Sequence, residues 1–374
     1  MQQIAMVFLA FGMLACSATP REGRPANHVA CQVIFDAGSS GTRLYIYQLT
    51  ASGWVKHSGP QTAALADPVR GISNQTMADA EAVTDSIVAA MAQIQQDGPL
   101  QSDGMLKWKG FEWETNCQLE TVAVYATAGM RLAERQHPAD TESLWEMLNL
   151  KLSKALGRSV TTRTLTGFEE GLFAWLATRE EQPDANFGIV EMGGASAQIS
   201  FPCQACTDSR WVLVQGVDVP LVSISFLGLG QDEAWKTHSN PSECSPGIGL
   251  RDSAWRVADC TDGVALPAGL GDSIRGFVEQ ADIHRWHLAG AFLFSKHSDF
   301  GDYCQNDIVS AYKPKTSCFR AIYQAYFLSS MGVPISTELS QVDWTLGAAI
   351  CARDSCLAKA GPPECRWSRG GCVD

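Results

Sequence analysis

Two stretches of the 374-residue chain combine an acid with a Gly/Ser-rich turn: FDAGSSGTRLYIY at 35–47 and FGIVEMGGASAQISF at 187–201. Turns of this composition offer backbone N–H groups to phosphate. The acids, Asp36 and Glu191, would repel that ligand unless a cation or water stood between. They therefore point to a hydrated divalent cation such as Mg2+ bridging phosphate oxygens, with the acids gripping its water shell. Hydrolysis would need a further group to orient and deprotonate water in line with the terminal phosphate. Glu169 and Glu170, in GFEEGLFAW at 167–175, are the candidates. Both also sit where a helix N-terminus would favour negative charge whatever the function.

The elements that must hold these residues can be read around them. CQVIFDA reads as a buried strand, GSSG as a tight turn and TRLYIYQL as a second strand, together a hairpin. A P-loop is excluded, because that motif needs GxxxxGK[ST] opening a helix. Apolar residues at helical spacing predict a helix over 75–96, stopped by DGP, and the pattern resumes at 141–156 and 171–181. Residues 119–129 read as a buried strand running into a turn, a further strand is expected at 160–165, and 98–117 reads as a surface excursion. Glu191 falls on Asp36, and Gly193 on Gly38, at one offset of 155 residues (191 − 36). The repeat predicts a duplicated architecture with the two hairpins facing each other across a cleft.

Composition narrows the partners. With 28 basic and 40 acidic residues the net charge is −12, which disfavours nucleic acid polymers and anionic membranes. The length suits two domains. Residues 1–18 read as a secretory signal, too short to span a bilayer, with cleavage near residue 15. Met13-Leu14-Ala15-Cys16 resembles a lipoprotein box, so Cys16 is either lipidated, the one membrane attachment expected, or lost with the signal. Without Cys16, 12 of the 13 cysteines remain, an even number suited to disulfides in an oxidising compartment. Cys203 and Cys206 form a CxxC with no second pair or paired-His motif, which disfavours zinc. Cys304 with Cys318, and Cys365 with Cys372, would close short loops. His284 and His287 read as surface or packing residues before metal ligands.

Taken together, FDAGSSGTRLYIY, YATAGMRL (125–132), GFEEGLFAW, IVEMGGASAQISF (189–201) and VDWTLGAAI (342–350) resemble the apyrase family, the nucleoside triphosphate diphosphohydrolases; SFLGLGQDEA (225–234) matches a segment the family carries. The resemblance implies an α/β chain of the actin/Hsp70/sugar-kinase class: two ribonuclease-H-like domains, 28–165 plus 336–374 and 166–335, with the active site between them. It gives Glu170 the role of catalytic base, with Ser196 and Gln198 holding the nucleophilic water. Asp36 and Glu191 would position the waters of the metal, Mg2+ or Ca2+. Ser39, Ser40, Gly41 and Thr42, with Thr127, Ala128 and Gly129, and Gly193, Gly194, Ala195 and Ser196, would bind phosphate. Arg43 and Arg131 would brace the turns, and Trp344 would pack near the metal.

Two departures stand out. Glu191 occupies a position more often Asp and reaches one methylene further. The stretch AFLFSKHSDFGDY (291–303) lacks the family's paired tyrosines, leaving Phe300 and Tyr303 as candidates for stacking on a nucleobase. The expectation is a monomeric, exported bacterial-type apyrase, periplasmic, outer-membrane-anchored or secreted, acting on nucleoside di- and triphosphates. An exopolyphosphatase-like phosphatase of the same superfamily and a non-catalytic nucleotide-binding protein are the alternatives.

Overall fold

The computed structural model describes residues 29–70, 77–97, 117–182, 186–237, 239, 244, 256–305, 316–335, 337–360, 367–368 and 371–372. The Val-, Ile- and aromatic-rich opening forms β1 (Ala30–Gly38) and β2 (Gly41–Thr50), an antiparallel hairpin turning through Ser39 and Ser40. With β3 (Gly53–Thr62), β4 (Gln118–Ala126) and β5 (Thr161–Thr164) they make a sheet ordered β3-β2-β1-β4-β5. A second sheet contains β6 (Phe187–Met192), β7 (Ser196–Pro202), β8 (Arg210–Val214), β9 (Val217–Leu227), β10 (Arg285–Gly290) and β11 (Glu338–Leu339), ordered β11-β10-β6-β7-β9-β8. Apart from edge strand β8, the second sheet repeats the first. β6, β7, β9, β10 and β11 take the places of β1 to β5, with the same parallel and antiparallel pairings. The acid-plus-glycine repeat is thus the visible part of a repeated sheet.

Helices fill the connections that parallel strands require. They are α1 (Met77–Asp97), α2 (Ala128–Gln136), α3 (Pro138–Leu156), α4 (Gly167–Glu181), α5 (Gln231–Thr237), α6 (Val257–Gly263), α7 (Asp272–Ala281), α8 (Phe300–Gln305), α9 (Ser317–Met331) and α10 (Trp344–Asp354). Residues 98–116, expected as an excursion, lie outside the described residues.

Strand alternation decides where the acids emerge. Val33, Phe35 and Ala37 pack with Ile87, Met91, Leu144 and Leu148 of α1 and α3, whereas Ile34 enters a separate core between the sheets. Asp36 shares the parity of Ile34 and leaves β1 on that inner side, at the carboxyl end of the strand where open α/β sheets bind ligands. In β6, Val190 and Met192 pack with Phe319, Ile322 and Phe327 of α9, while Ile189 faces the inner core. Glu191 has the parity of Ile189.

Leu172 and Trp175 of α4 and Ala348 and Ala349 of α10 fill that inner core. A Cβ on Gly347 would overlap the Phe173 carbonyl, so the glycine allows α10 to lie against the backbone of α4. Tyr47 Oη and Thr345 Oγ1 are 2.6 Å apart, and Gln32 Nε2 donates to the Ala349 carbonyl at 3.2 Å, so the late helix is anchored on the first sheet. Arg70, after β3, pairs with Glu233 of α5 at 2.6 Å.

Among the described residues five disulfides form: Cys31–Cys117, Cys203–Cys206, Cys244–Cys260, Cys304–Cys318 and Cys351–Cys356. The CxxC is therefore a disulfide, and the Cys304–Cys318 expectation is met. Cys365 lies outside the described residues. His287 is buried in β10 with its ring edge on Phe187 and His284 is exposed near Asp282, so the two histidines do not join.

Candidate active site

The three expected phosphate-binding segments meet around Ser39. A Cβ on Gly129, in the first turn of α2, would stand 3.1 Å from Ser39 Cα, and one on Gly194 would stand 2.6 Å from Ser39 Oγ. A Cβ at Gly129 would press on the Ser39 main chain, whereas one at Gly194 would displace the ends of the Ser39 and Asp232 side chains. The first turn is backed by Arg43, which donates to Asp36 at 3.5 Å and to Ser40 Oγ at 3.4 Å. The amide of Thr127 donates to the Ala37 carbonyl, which fixes the entry to α2 against the same turn. Thr42 Oγ1 is buried without a protein partner among the described residues.

The second turn is held differently. The amides of Gln231, Asp232 and Glu233 donate to the carbonyls of Gly193 and Gly194, and that of Gly228 donates to Ala195. A Cβ on Gly230 would overlap the Ala195 and Ser196 nitrogens. SFLGLGQDEA is therefore the clamp on this turn, a role its sequence pattern does not announce.

The structure separates the two adjacent glutamates. Glu169 forms a capping box at the start of α4: its carboxylate accepts from the Thr166 amide at 2.9 Å, and its own amide donates to Thr166 Oγ1 at 3.2 Å. Arg163 holds the same carboxylate through two bonds of 2.6 and 2.9 Å, keeping it below the usual carboxylate range against the cost of burial. Glu170 is 5% exposed and pairs with the buried guanidinium of Arg131. Burial pushes its carboxyl up, partly offset by Arg131.

The GFEEG pattern has a packing reason. A Cβ on Gly167 would overlap Ser225 Cβ and crowd Arg131 Nη1, and one on Gly171 would overlap the hydroxyls of Ser200 and Ser223. Spaced i,i+4, the glycines form one face of α4. That face lies on a polar stripe of β7 and β9, where Ser223 Oγ donates to the Phe168 carbonyl at 3.0 Å. In the same layer Gln198 Nε2 donates to Ser196 Oγ at 2.6 Å and to Ser225 Oγ at 3.1 Å, while Gln198 Oε1 is buried without a partner among the described residues.

Glu170 adds negative charge near Asp36, and Glu170 and Asp36 both add it near Glu191. Burial takes Asp36 to about 7, with Arg43 opposing and Asp343 and Glu170 adding to the rise. Glu191 is pushed well above the usual range by burial and then by the charges of Glu170 and Asp36, with Arg131 opposing. Gly290 makes room for its longer side chain. This residue has a left-handed φ of +68°, and a Cβ there would stand 2.5 Å from Glu191 Oε1. Among the described residues no three His, Cys, Asp or Glu side chains gather at metal-ligating distance. The donor set fits a hard cation held through its water shell: buried, mutually repelling carboxylates that a double positive charge would relieve.

Asp343, ahead of Trp344, carries no sequence signal of its own; it pairs with Lys56 at 2.5 Å and adds to the negative field at Asp36. Trp344 is partly buried at the start of α10, packed against the inner core. The nucleobase candidates fall elsewhere. Tyr303 is 6% exposed inside the core of the second sheet, so its ring has no face to offer, and Phe300 packs on that core with its edge to Tyr326. Phe294, in a 3-10 turn after β10, is 51% exposed.

Two repeated sheets with a site at the carboxyl ends of their central strands define the actin/Hsp70/sugar-kinase class. The solved structure of an Aquifex aeolicus Ppx/GppA family member shares this fold at a TM-score of 0.53 and 14% identity, covering 87% of this chain and 98% of that one. The chain belongs to the GDA1/CD39 (nucleoside phosphatase) family, which matches residues 25–252. It is 28% identical to probable apyrase 4 of Arabidopsis thaliana over 62% of this chain and 45% of that protein. It is 26% identical to ectonucleoside triphosphate diphosphohydrolase 1 of Rattus norvegicus over 66% of this chain and 50% of that protein. The matched region spans about half the length of these relatives.

Proposed function

We propose that the site hydrolyses nucleoside tri- and diphosphates to the monophosphate and inorganic phosphate, by direct attack of a water deprotonated by Glu170. The observation that carries this reading is the placement of Glu170, buried with a raised carboxyl pKa, on the network that joins Ser196 and Gln198. Raising a carboxylate's pKa strengthens it as a base for proton abstraction. The names of the relatives, an apyrase and a triphosphate diphosphohydrolase, support the substrate class.

The turns at Ser39–Thr42, Thr127–Gly129 and Gly193–Ser196 receive the phosphate oxygens. The water oxygen forms a bond to the terminal phosphorus, and the bond from phosphorus to the bridging oxygen breaks with its electron pair on the leaving group. The water's proton passes to Glu170 and then to solvent. No phosphoenzyme forms. Asp36 and Glu191 would hold the hydrated Mg2+ or Ca2+, which when bound supplies positive charge to the phosphate oxygens. Phe294 is better placed than Phe300 or Tyr303 to meet a nucleobase.

We divide the chain into domains at 28–165 plus 336–374 and 166–335, the α10 return belonging to the first. Export is part of the same proposal, supported by the five disulfides; residues 1–28, with Cys16, lie outside the described residues. No helix among the described residues is long and apolar enough to cross a membrane.

Phosphate release from ATP, ADP, AMP and polyphosphate, each with and without chelator, tests the reading. Release from ATP and ADP but not AMP, abolished by chelator, is expected. Turnover of polyphosphate alone would replace the proposal with an exopolyphosphatase, and nucleotide binding without release would replace it with a binding protein.

A further inference from the structure

β9 presents Ser223 and Ser225 toward α4, while Val222, Ile224 and Phe226 face the other way into the core of the second sheet. Ser225 lies directly across from Gln198 in the β7–β9 ladder. Its hydroxyl oxygen accepts from two donors, Arg131 Nη1 and Gln198 Nε2, each at 3.1 Å. Arg131 Nη2 pairs with Glu170 and reaches Ser196 Oγ at 3.3 Å, and Gln198 Nε2 reaches the same oxygen at 2.6 Å. The bonds close a ring through Arg131, Ser225, Gln198 and Ser196, with Glu170 on its rim.

Donor arithmetic makes the ring directional. A guanidinium only donates, and a serine hydroxyl has two lone pairs and one O–H. Both lone pairs of Ser196 are taken by Arg131 and Gln198, so this hydroxyl can only donate onward. Both hydrogens of the Gln198 amide serve Ser196 and Ser225, so Gln198 Oε1 is left as a buried acceptor without a partner among the described residues. On the hydrolytic reading, these groups and Glu170 would hold one water: Glu170 and Gln198 Oε1 would accept its two hydrogens, Ser196 would donate to one lone pair, and the other lone pair would be left for phosphorus.

We infer that Ser225 is a positioning residue of this centre, the shared acceptor that fixes the Arg131 guanidinium and the Gln198 amide relative to each other and so aims the water. The inference rests on the hydrolytic reading above. The close approach of Gly167 to Ser225 and Arg131 leaves no slack by which another group could replace it. Ser200 and Ser223 share the stripe but bond each other and the Phe168 carbonyl, so they anchor the helix and stand outside the ring.

The test is a steady-state double-mutant cycle on the full chain with ATP, with thermal unfolding of every variant recorded. Ser225→Ala should lower kcat by ~10- to 100-fold, the scale of a misplaced reacting group, with KM within about twofold. On a Gln198→Ala background the same change should cost less than about threefold, because the two side chains act as one unit. Ser225→Cys keeps the side-chain shape, with a larger atom, but offers only a weak acceptor; it should fall between wild type and Ala in kcat, and it carries the test should the alanine variant not fold. An unchanged kcat in a folded Ser225 variant, or losses that multiply in the double variant, would overturn the inference while leaving the hydrolytic reading intact. Wild-type protein that releases no phosphate would remove both.

Discussion

The hairpins β1–β2 and β6–β7 share topology, parity of the acid and position in their sheets, yet they are supported by different means. The first turn is braced by side chains: Arg43 bonds both Asp36 and Ser40, and the start of α2 packs on Ser39. The second is braced by backbone, through amides of residues 228–233 donating to the turn carbonyls. The acids differ in the same way. Asp36 has an arginine partner and a short reach, while Glu191 is one methylene longer and lies against a glycine. In the strand pairing Ala126 stands opposite Ala37, and Gly290 opposite Met192, so the neighbour shrinks where the acid grows. A duplicated site can thus keep its chemistry while each half pays for its geometry differently.

This contrast can be broken from either side. Asp36→Asn and Glu191→Gln should each weaken cation binding, raising the Mg2+ or Ca2+ concentration that gives half-maximal rate by ~10- to 100-fold. Excess cation should recover much of the lost rate, and equal rates at low cation would contradict the placement of either acid. Gly290→Ala should destabilise by ~1–3 kcal/mol, because alanine resists the left-handed φ and its methyl meets Glu191. Its cation titration should shift as well. Thermal unfolding and that titration on one sample read both effects, and a stability loss with an unmoved titration would separate Gly290 from the acid it faces.

The raised carboxyl pKa values give a third prediction with a definite sign. In the cation-free protein Asp36 binds its proton up to about 7, above the unfolded value. The folded state therefore holds more protons than the unfolded one across that window, and stability from this group falls as pH rises from about 4 to 7. A bound cation favours the ionised form. Cation addition should then raise Tm more at pH 7.5 than at pH 5, and scanning calorimetry at the two pH values with and without Mg2+ checks it. The smallest expected effect concerns the base: Phe294→Ala should raise KM for ATP a few-fold while leaving KM for tripolyphosphate unchanged, consistent with ~1 kcal/mol for a stacked ring.

Much of this arrangement was legible in the sequence because periodicity and turn chemistry agree there. The β1–β2 and β6–β7 hairpins, α1, α3 and α4 fall where the patterns place them. β3 was not legible: GWVKHSGPQT carries two glycines and a proline, tolerable only at an edge, and shows no clean alternation. Two-residue β11 has no pattern to detect. Within the site the acids and turns could be named, but Glu169 and Glu170 could not be told apart, since their difference lies in what Arg163 and Arg131 bring from distant strands and helices. Ser225 had a partial signal. Its alternation with Ser223, set against Ser196, Gln198 and Ser200, marks a polar stripe on one sheet face, but only the packing of α4 reveals why a polar stripe should be buried. Phe300 and Tyr303 suit a nucleobase by residue type alone, and the fold gives their rings to the core.

The adjacent glutamates offer the most direct measurement of the central claim. Glu170→Gln and Glu169→Gln should be compared with wild type for ATP turnover and for nucleotide binding by calorimetry. Glu170→Gln should bind nucleotide near normally and lose ~10²- to 10⁴-fold in kcat, the scale of a general base. Glu169→Gln should lose ~0.5–2 kcal/mol of stability with its cap while keeping kcat within a few-fold. Substantial turnover by folded Glu170→Gln, or a loss of kcat shared equally by the two variants, would contradict the assignment of Glu170 as the base.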